Sequence, residues 1–360
     1  MSLHFYPLRV KKVYPVTSEA VRIDLEIPAE QQDQFAFQAG QYLTFKTLID
    51  GIEVRRSYSI CSSPLDGQCS VGVKLVEGGL FSTYAHKTLK AGDILEVIPP
   101  NGKFIAKLDP AHEKHYLAIA AGSGITPILS LIKTVLSTEP RSQFTLLFGN
   151  KNVSSIMFRE DLESLKNVFV NRFAIYHVLS REKREFPLFN GRMDVPKCQE
   201  FFDTLVNIDD IDEVYLCGPE DMTLDIKAYL LSLQFPEKQI HLELFNTPGE
   251  AYIRRQKAEA APIDASLESN VQVKLDGNVI NFKLKYGEKS ILDAAMDQGA
   301  DLPYACKGGV CCTCKAKLLQ GEVAMDVNYG LEQDEIEAGY ILTCQSHPRS
   351  SQIFVDFDTH

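Results

Sequence analysis

Apolar and polar positions alternate in short runs through residues 1–109, as in Val21-Arg22-Ile23-Asp24-Leu25-Glu26-Ile27 and Tyr42-Leu43-Thr44-Phe45. A period of two puts every second side chain on one face. Turn residues separate the runs, so this segment predicts an antiparallel barrel of short strands. The pattern changes at Tyr116. Tyr116-Leu117-Ala118-Ile119-Ala120 is apolar without a break, glycines follow, and 128–136 has helical spacing. Further unbroken apolar runs lie at 144–148, 173–178 and 214–217, with helical patterns between them. Such alternation predicts a doubly wound α/β unit with a parallel sheet over 110–245.

The regularity stops there. Asn246-Thr247-Pro248-Gly249-Glu250 opens a stretch rich in Ala, Glu and Ser, and 246–269 reads as a linker. From Val271 two runs flank Asp276-Gly277, a hairpin signal, and 290–299 is helical. The chain of 360 residues thus divides into three domains, 1–109, 110–245 and 270–360, each long enough for its own core.

Composition narrows the class. No run of 18 apolar residues occurs, so no membrane span is expected. The first residues, Met1 to Pro7, lack a basic stretch followed by an apolar one, so no signal peptide is expected. A net charge of −11 disfavours nucleic acid or an anionic membrane as partner. Nine cysteines is an odd count, gathered mostly in one segment, which suits a reducing cytoplasm better than a disulfide framework.

Four of those cysteines carry the sharpest signal. Cys306, Cys311 and Cys314 stand as C-x4-C-x2-C, and Cys344 lies beyond 29 intervening residues. That is the ligand spacing of a plant-type 2Fe–2S cluster. The loop Lys307-Gly308-Gly309-Val310 lets backbone N–H groups turn towards the sulfurs. Cys312 breaks both spacings and is read as a non-ligand. Zinc is the alternative for four thiolates, but zinc ribbons use two C-x2-C pairs and one is present here.

Upstream, Arg56-Ser57-Tyr58-Ser59 lies in a predicted strand, with Arg56 and Tyr58 on one face. A guanidinium there can hold a phosphate while an aromatic ring lies against a flat heterocycle, and Ser59 can offer a donor to a ring nitrogen. Gly78-Gly79-Leu80-Phe81-Ser82 opens a helix, where small residues admit a pyrophosphate. A plain barrel strand would read the same way as the tetrapeptide alone.

Gly122-Ser123-Gly124-Ile125-Thr126-Pro127 follows an apolar strand and precedes a helix, which is the place of a phosphate-binding turn. Pro127 stands where a strict dinucleotide fingerprint has its third glycine. Cys217-Gly218-Pro219 ends a later strand, so Cys217 can face a nicotinamide ring or be a small buried hydrophobe. Ser180-Arg181 ends another strand, suited to a 2′-phosphate and hence to NADPH over NADH, unless Arg181 is a solvated loop charge; Glu182 follows it.

These motifs, in this order, resemble the ferredoxin–NADP reductase superfamily, and within it oxygenase reductases with a C-terminal ferredoxin domain. The resemblance spans essentially the whole chain. It implies three folds: an antiparallel β-barrel flavin domain, an α/β doubly wound parallel-sheet nucleotide domain and an α+β β-grasp ferredoxin domain. It implies FAD, a 2Fe–2S cluster and NADPH or NADH as cofactors. Arg56, Ser57, Tyr58, Ser59, Gly79 and Ser82 would serve the flavin, and Gly122, Gly124, Thr126, Pro127, Ser180, Arg181, Gly218 and Pro219 the nucleotide. Cys306, Cys311, Cys314 and Cys344 would hold the cluster. Tyr58, Ser59 and Cys217 would stand at the reacting rings. The chain departs from chloroplast-type reductases, which end after the nucleotide domain on an aromatic residue over the flavin: here His241-Leu242-Glu243-Leu244-Phe245 runs on into the linker, with Phe245 a candidate flavin neighbour. The ferredoxin segment, including Gly339-Tyr340-Ile341-Leu342-Thr343-Cys344-Gln345, is similar to a subfamily whose partner is a multi-subunit, di-iron oxygenase. The expected activity is electron transfer from NAD(P)H through flavin and cluster to an oxygenase component. A Rieske-type oxygenase or a hybrid-cluster protein is the alternative acceptor, and a non-enzymatic redox sensor the remote alternative. Residues 270–360 hold 13 acidic and 8 basic side chains, which favours a basic partner surface.

Overall fold

The computed structural model describes residues 4–245 and 268–359. Tyr6–Val54 with Tyr58–Phe245 make one compact unit, and the segment beyond residue 267 is the body of a second.

The first unit begins with six strands: β1 (Tyr6–Thr17), β2 (Ala20–Glu26), β3 (Tyr42–Ile49), β4 (Ile52–Ser59), β5 (Cys69–Lys74) and β6 (Ile94–Asn101). They form an antiparallel sheet in the order β4-β3-β6-β1-β2-β5. Alternation works as the pattern predicts: Leu8, Val10, Ile23, Phe45, Val71 and Val97 point inwards and are wholly buried. Helix α1 (Leu80–Lys87) closes one end, with Phe81 set 5.7 Å from the Phe45 ring.

Five parallel strands follow: β7 (His115–Ala121), β8 (Gln143–Asn150), β9 (Phe173–Leu179), β10 (Glu213–Gly218) and β11 (Ile240–Leu244). Their order, β11-β10-β7-β8-β9, reverses direction at β7. The unbroken apolar runs have a plain cause. Tyr116, Ala118 and Ala120 face helices α2 (Ile125–Thr138) and α3 (Arg159–Val168), while Leu117 and Ile119 face α4 (Val195–Thr204) and α5 (Glu220–Ser232). Both faces are covered, so neither can be polar. Helix α2 starts at Ile125, earlier than its apolar spacing suggests, because Thr126 Oγ1 donates to Ser123 O at 3.0 Å and Pro127 suits a first helical turn. It is buried nearly all round because the barrel covers its outer side. Ser130 Oγ donates to Ser62 O at 2.6 Å, and Ser63 and Thr134 share a hydrogen bond of 2.9 Å.

The second unit is a five-stranded mixed sheet with a helix. Its strands are β12 (Glu268–Leu275), β13 (Asn278–Lys285), β14 (Lys315–Gln320), β15 (Val323–Met325), β16 (Tyr340–Leu342), β17 (Ser346–Pro348) and β18 (Gln352–Asp356). The main sheet runs β13-β12-β18-β14-β16, with β12 and β18 parallel, and β15 pairs with β17. Asp276 and Gly277 both have positive φ, 51° and 76°, as a tight hairpin between twisted strands requires. Helix α6 (Ile291–Asp297) is capped by Ser290, whose Oγ accepts the Asp293 N–H at 3.1 Å, and it buries Ile291, Leu292 and Ala295. A short helix, α7 (Gln333–Glu337), precedes β16. Strand β12 begins at Glu268, two residues inside the stretch read as a linker. Ser269 is drawn in because its hydroxyl donates to Ser350 O at 2.7 Å and its backbone pairs opposite Leu284. The rest of that stretch, 246–267, lies outside the described residues. Among the described residues no helix is long and apolar enough to cross a membrane.

Candidate functional site

The four spaced cysteines come together in the second unit. Cys311, Cys314 and Cys344 are buried and Cys306 is half-buried. They lie as two pairs: the Cys311 thiol is 3.1 Å from Cys306 Sγ, and Cys314 hydrogen-bonds to Cys344. Among the described residues no three His, Cys, Asp or Glu side chains converge on a single ion. Two thiol pairs side by side match a two-iron cluster, in which each iron takes two cysteines, better than one tetrahedral zinc. The Cys306 sulfur is biased towards thiolate by the Cys311 thiol first, against burial, and then by backbone N–H groups of Gly308, Cys311 and Val310. Its neighbour Cys311 keeps the proton of the pair, and burial helps hold it there. Cys312 turns elsewhere, its thiol donating to Gly330 O at 2.6 Å.

Strand β4 presents the barrel motif. Arg56 is half-buried and its Nη1 donates to Arg55 O at 2.7 Å; Ser57 is half-buried beside it. The Tyr58 ring packs 5.2 Å from Phe81 and 6.1 Å from Phe45. Ser59 is buried, and its hydroxyl donates to Glu243 Oε2 at 3.0 Å. Gly79 precedes α1 as its N-cap residue. The Ser82 hydroxyl, in the first turn of α1, accepts the Val76 N–H at 3.2 Å.

The two glycine turns of the nucleotide sheet are pressed against each other. Gly122 and Gly124 form a single turn between β7 and α2, and Cys217 and Gly218 end the neighbouring β10. A Cβ on Gly124 would stand 2.1 Å from Cys217 O, so only glycine allows this approach. Pro219 then opens α5. Cys217 is wholly buried; burial first, and the nearby Glu243 next, raise its thiol well above the ordinary range. It is a neutral, soft wall at the strand end and not a thiolate. Phe245 packs against the same core, partly buried.

Three further features escaped the sequence reading. Glu243 sits on β11 in register with Cys217 and receives the Ser59 hydroxyl. Part of it reaches the surface, yet it is packed closely enough that burial pushes its carboxyl up to about 8, with the Ser59 bond acting the other way. Lys74, at the end of β5, reaches within 3.5 Å of where a Cβ on Gly122 would lie. Burial first, and Lys151 next, lower its pKa. Asn150, at the end of β8, is buried with its Nδ2 unpartnered. Ser180 Oγ donates to Asn150 O at 3.3 Å and the Arg181 N–H to Lys151 O at 2.8 Å, so these groups share the carboxyl edge of the sheet. Glu182, by contrast, is drawn to the Val153 N–H at 2.8 Å. Cations and an orphaned amide around a glycine turn suit a phosphorylated dinucleotide.

Comparison with known proteins agrees with this division. The chain matches the oxidoreductase FAD-binding domain over residues 7–105, the oxidoreductase NAD-binding domain over 118–228 and the 2Fe-2S iron-sulfur cluster binding domain over 273–349. It is 47% identical over 354 residues to a subunit of the 1,2-phenylacetyl-CoA epoxidase of Escherichia coli K12, covering 98% of each chain. It is 31% identical to the ferredoxin reductase component of 3-ketosteroid-9-alpha-monooxygenase from Rhodococcus rhodochrous, covering 97% of this chain and 96% of that one. The fold is shared with phthalate dioxygenase reductase, at a TM-score of 0.58 and 22% identity over 98% of both chains. With its flavin barrel, nucleotide sheet and cluster domain in that order, the chain belongs to the ferredoxin–NADP reductase superfamily as an oxygenase reductase component with a C-terminal plant-type 2Fe–2S domain, carrying electrons from NAD(P)H through FAD to the cluster.

Proposed function

We propose that this chain is the reductase subunit of a phenylacetyl-CoA epoxidase, delivering electrons to a multi-subunit, di-iron oxygenase in the cytoplasm and drawing them preferentially from NADPH. The identity with the Escherichia coli epoxidase component, sustained along the whole of both chains, carries this reading. Residues 1–109, 110–245 and 270–360 would be its flavin, nucleotide and ferredoxin domains.

When bound, the flavin would supply the exchange between hydride chemistry at the nucleotide and one-electron chemistry at the cluster. The protein's part is to bind, orient and hold protons. Arg56 would pair with a flavin phosphate and Tyr58 would lie against the ring, with the N–H groups at the start of α1 facing the pyrophosphate. Ser59, anchored by its bond to Glu243, would fix the ring edge. Glu243, its carboxyl raised to about 8, would keep a proton in reach at neutral pH. Cys217 would pack as a neutral thiol against the nicotinamide and keep water from it. Gly122, Gly124, Thr126 and Pro127 would shape the turn that receives the nucleotide diphosphate, helped by Gly218 and Pro219. Ser180 and Arg181 would meet a 2′-phosphate. Cys306, Cys311, Cys314 and Cys344 would ligate the cluster.

The test is reconstitution. The purified chain, NADPH and the oxygenase subunits of a phenylacetyl-CoA epoxidase should consume phenylacetyl-CoA with one NADPH per epoxide formed. A chain that reduces cytochrome c with NADPH but leaves that oxygenase idle, and drives a Rieske-type oxygenase instead, would assign it to another system.

A further inference from the structure

Gln345 follows the fourth cysteine, and its side chain is buried. Its Nε2 has two hydrogens and three acceptors: one N–H goes to Lys307 O at 2.9 Å, and the other is shared between Cys344 O at 3.1 Å and Cys344 Sγ at 3.7 Å. With carbonyl oxygens on two sides, the NH2 end of the amide must point this way. The main chain of Gln345 is fixed as well. Its N–H donates to Leu342 O at 2.9 Å, and its carbonyl accepts the Asp326 N–H at 2.9 Å.

The residue it reaches is under constraint. Lys307 has φ of +49°, a left-handed conformation that a non-glycine residue keeps only when its surroundings impose it. Its Nζ is held by Asp293 Oδ1 at 2.7 Å and stands 4.5 Å over the Tyr304 ring. Two residues on, a Cβ at Gly309 would meet Gln345 Cγ at 3.1 Å. The Gln345 amide therefore ties the loop that starts at Cys306 to the residue that bears the fourth thiol. Backbone N–H groups serve the Cys306 sulfur at one end of the cysteine set, and a side-chain N–H serves the Cys344 sulfur at the other.

We propose that Gln345 is a positioning residue for the cluster, clasping the Cys306 loop to Cys344 and aiming an N–H at the Cys344 sulfur, and that it thereby raises the potential at which the cluster takes its electron. This rests on the reading of the four cysteines as ligands. Reduction adds a negative charge that the ligand sulfurs share, so a donor aimed at one of them stabilises the reduced state more than the oxidised one. Burial of the amide keeps water from screening that difference.

Gln345→Met keeps the length and approximate volume of the side chain and removes both donors. Redox titration of the full-length holoprotein, followed by visible absorption and EPR, reads the effect. The expected result is a cluster still assembled, a one-electron equilibrium moved about tenfold towards the oxidised form, equivalent to about 59 mV, and an unchanged flavin potential. A full iron content with the wild-type cluster potential would overturn the proposal. Should the variant lose its iron, wild-type protein carrying 15N in its glutamine side chains decides the matter. A 15N hyperfine coupling in the pulsed EPR of the reduced cluster supports the clasp, and its absence overturns it. A wild-type protein with no 2Fe–2S spectrum at all would instead remove the ligand assignment, and the proposal with it.

Discussion

Replacing Gly124 by alanine puts a methyl carbon 2.1 Å from the Cys217 carbonyl oxygen, 2.5 Å from its carbon and 3.0 Å from the Gly218 nitrogen. All three atoms are backbone, so no side chain can swing aside. The conformation of Gly124 itself, φ −59° and ψ −11°, is one that alanine adopts freely, which leaves contact as the sole penalty. An ordinary carbon–oxygen separation is about 3.3 Å, so the turn and the end of β10 must part by roughly 1.2 Å. A misplacement of about 1 Å between reacting groups is worth on the order of a hundredfold in rate. Gly124→Ala should therefore slow anaerobic flavin reduction by NADPH, followed in a stopped-flow spectrometer, by about that factor. The barrel and the cluster domain should remain as they are, with normal flavin absorption and a cluster still reducible by dithionite. Flavin reduction within about twofold of wild type would refute the reasoning, because it would mean that the two turns need not touch for the nicotinamide to be placed.

Glu243→Gln addresses protonation. Folding raises this carboxyl from 4.5 to about 8, so across that window the native state holds a proton that the unfolded chain has released. Stability should fall as pH rises from 4.5 to 8, and thermal melts of the glutamine variant should lose that slope. Any limb near pH 8 in the flavin reduction rate should vanish with it. Lys74→Ala removes one cation beside Gly122 and should weaken NADP+ binding about tenfold, the size of one charge-assisted hydrogen bond, as read by titration calorimetry. Arg181→Ala should narrow the ratio of NADPH to NADH affinities while leaving NADH binding in place. Cys312→Ser should retain iron and the visible spectrum, because that thiol is spent on Gly330 O, whereas Cys344→Ser should lose them.

The parts legible in the sequence are those whose signal is local. Three of the four spaced cysteines sit within nine residues, and each glycine turn adjoins its own strand, so spacing alone marks them as candidates. The parts that were hidden depend on tertiary pairing. Glu243 is a single carboxylate in a short strand; it matters because β11 lies in register with Cys217 on β10 and because the barrel delivers Ser59 from 184 positions away. Lys74 closes a barrel strand with nothing in its neighbours to mark it, and only packing sets it beside Gly122. Strand β12 starts at Glu268, three residues before the apolar run that opens at Val271, for a similar reason: Glu268 and Ser269 look like linker, and it is Ser350 and Leu284 that draw Ser269 into the sheet.

The order of strands in the second unit also governs when that unit can mature. Strand β18 lies at the centre of the sheet, between β12 and β14, yet follows all four cysteines in the chain. Its pairing with β12 joins Asn270 to Gln352, a closure that local contacts cannot begin. On a growing polypeptide the cysteine loop is therefore synthesised before the strand that completes the sheet enclosing it. Until that strand pairs, the thiols are less enclosed, and the speed of β12–β18 closure sets how long they stand open to oxidation.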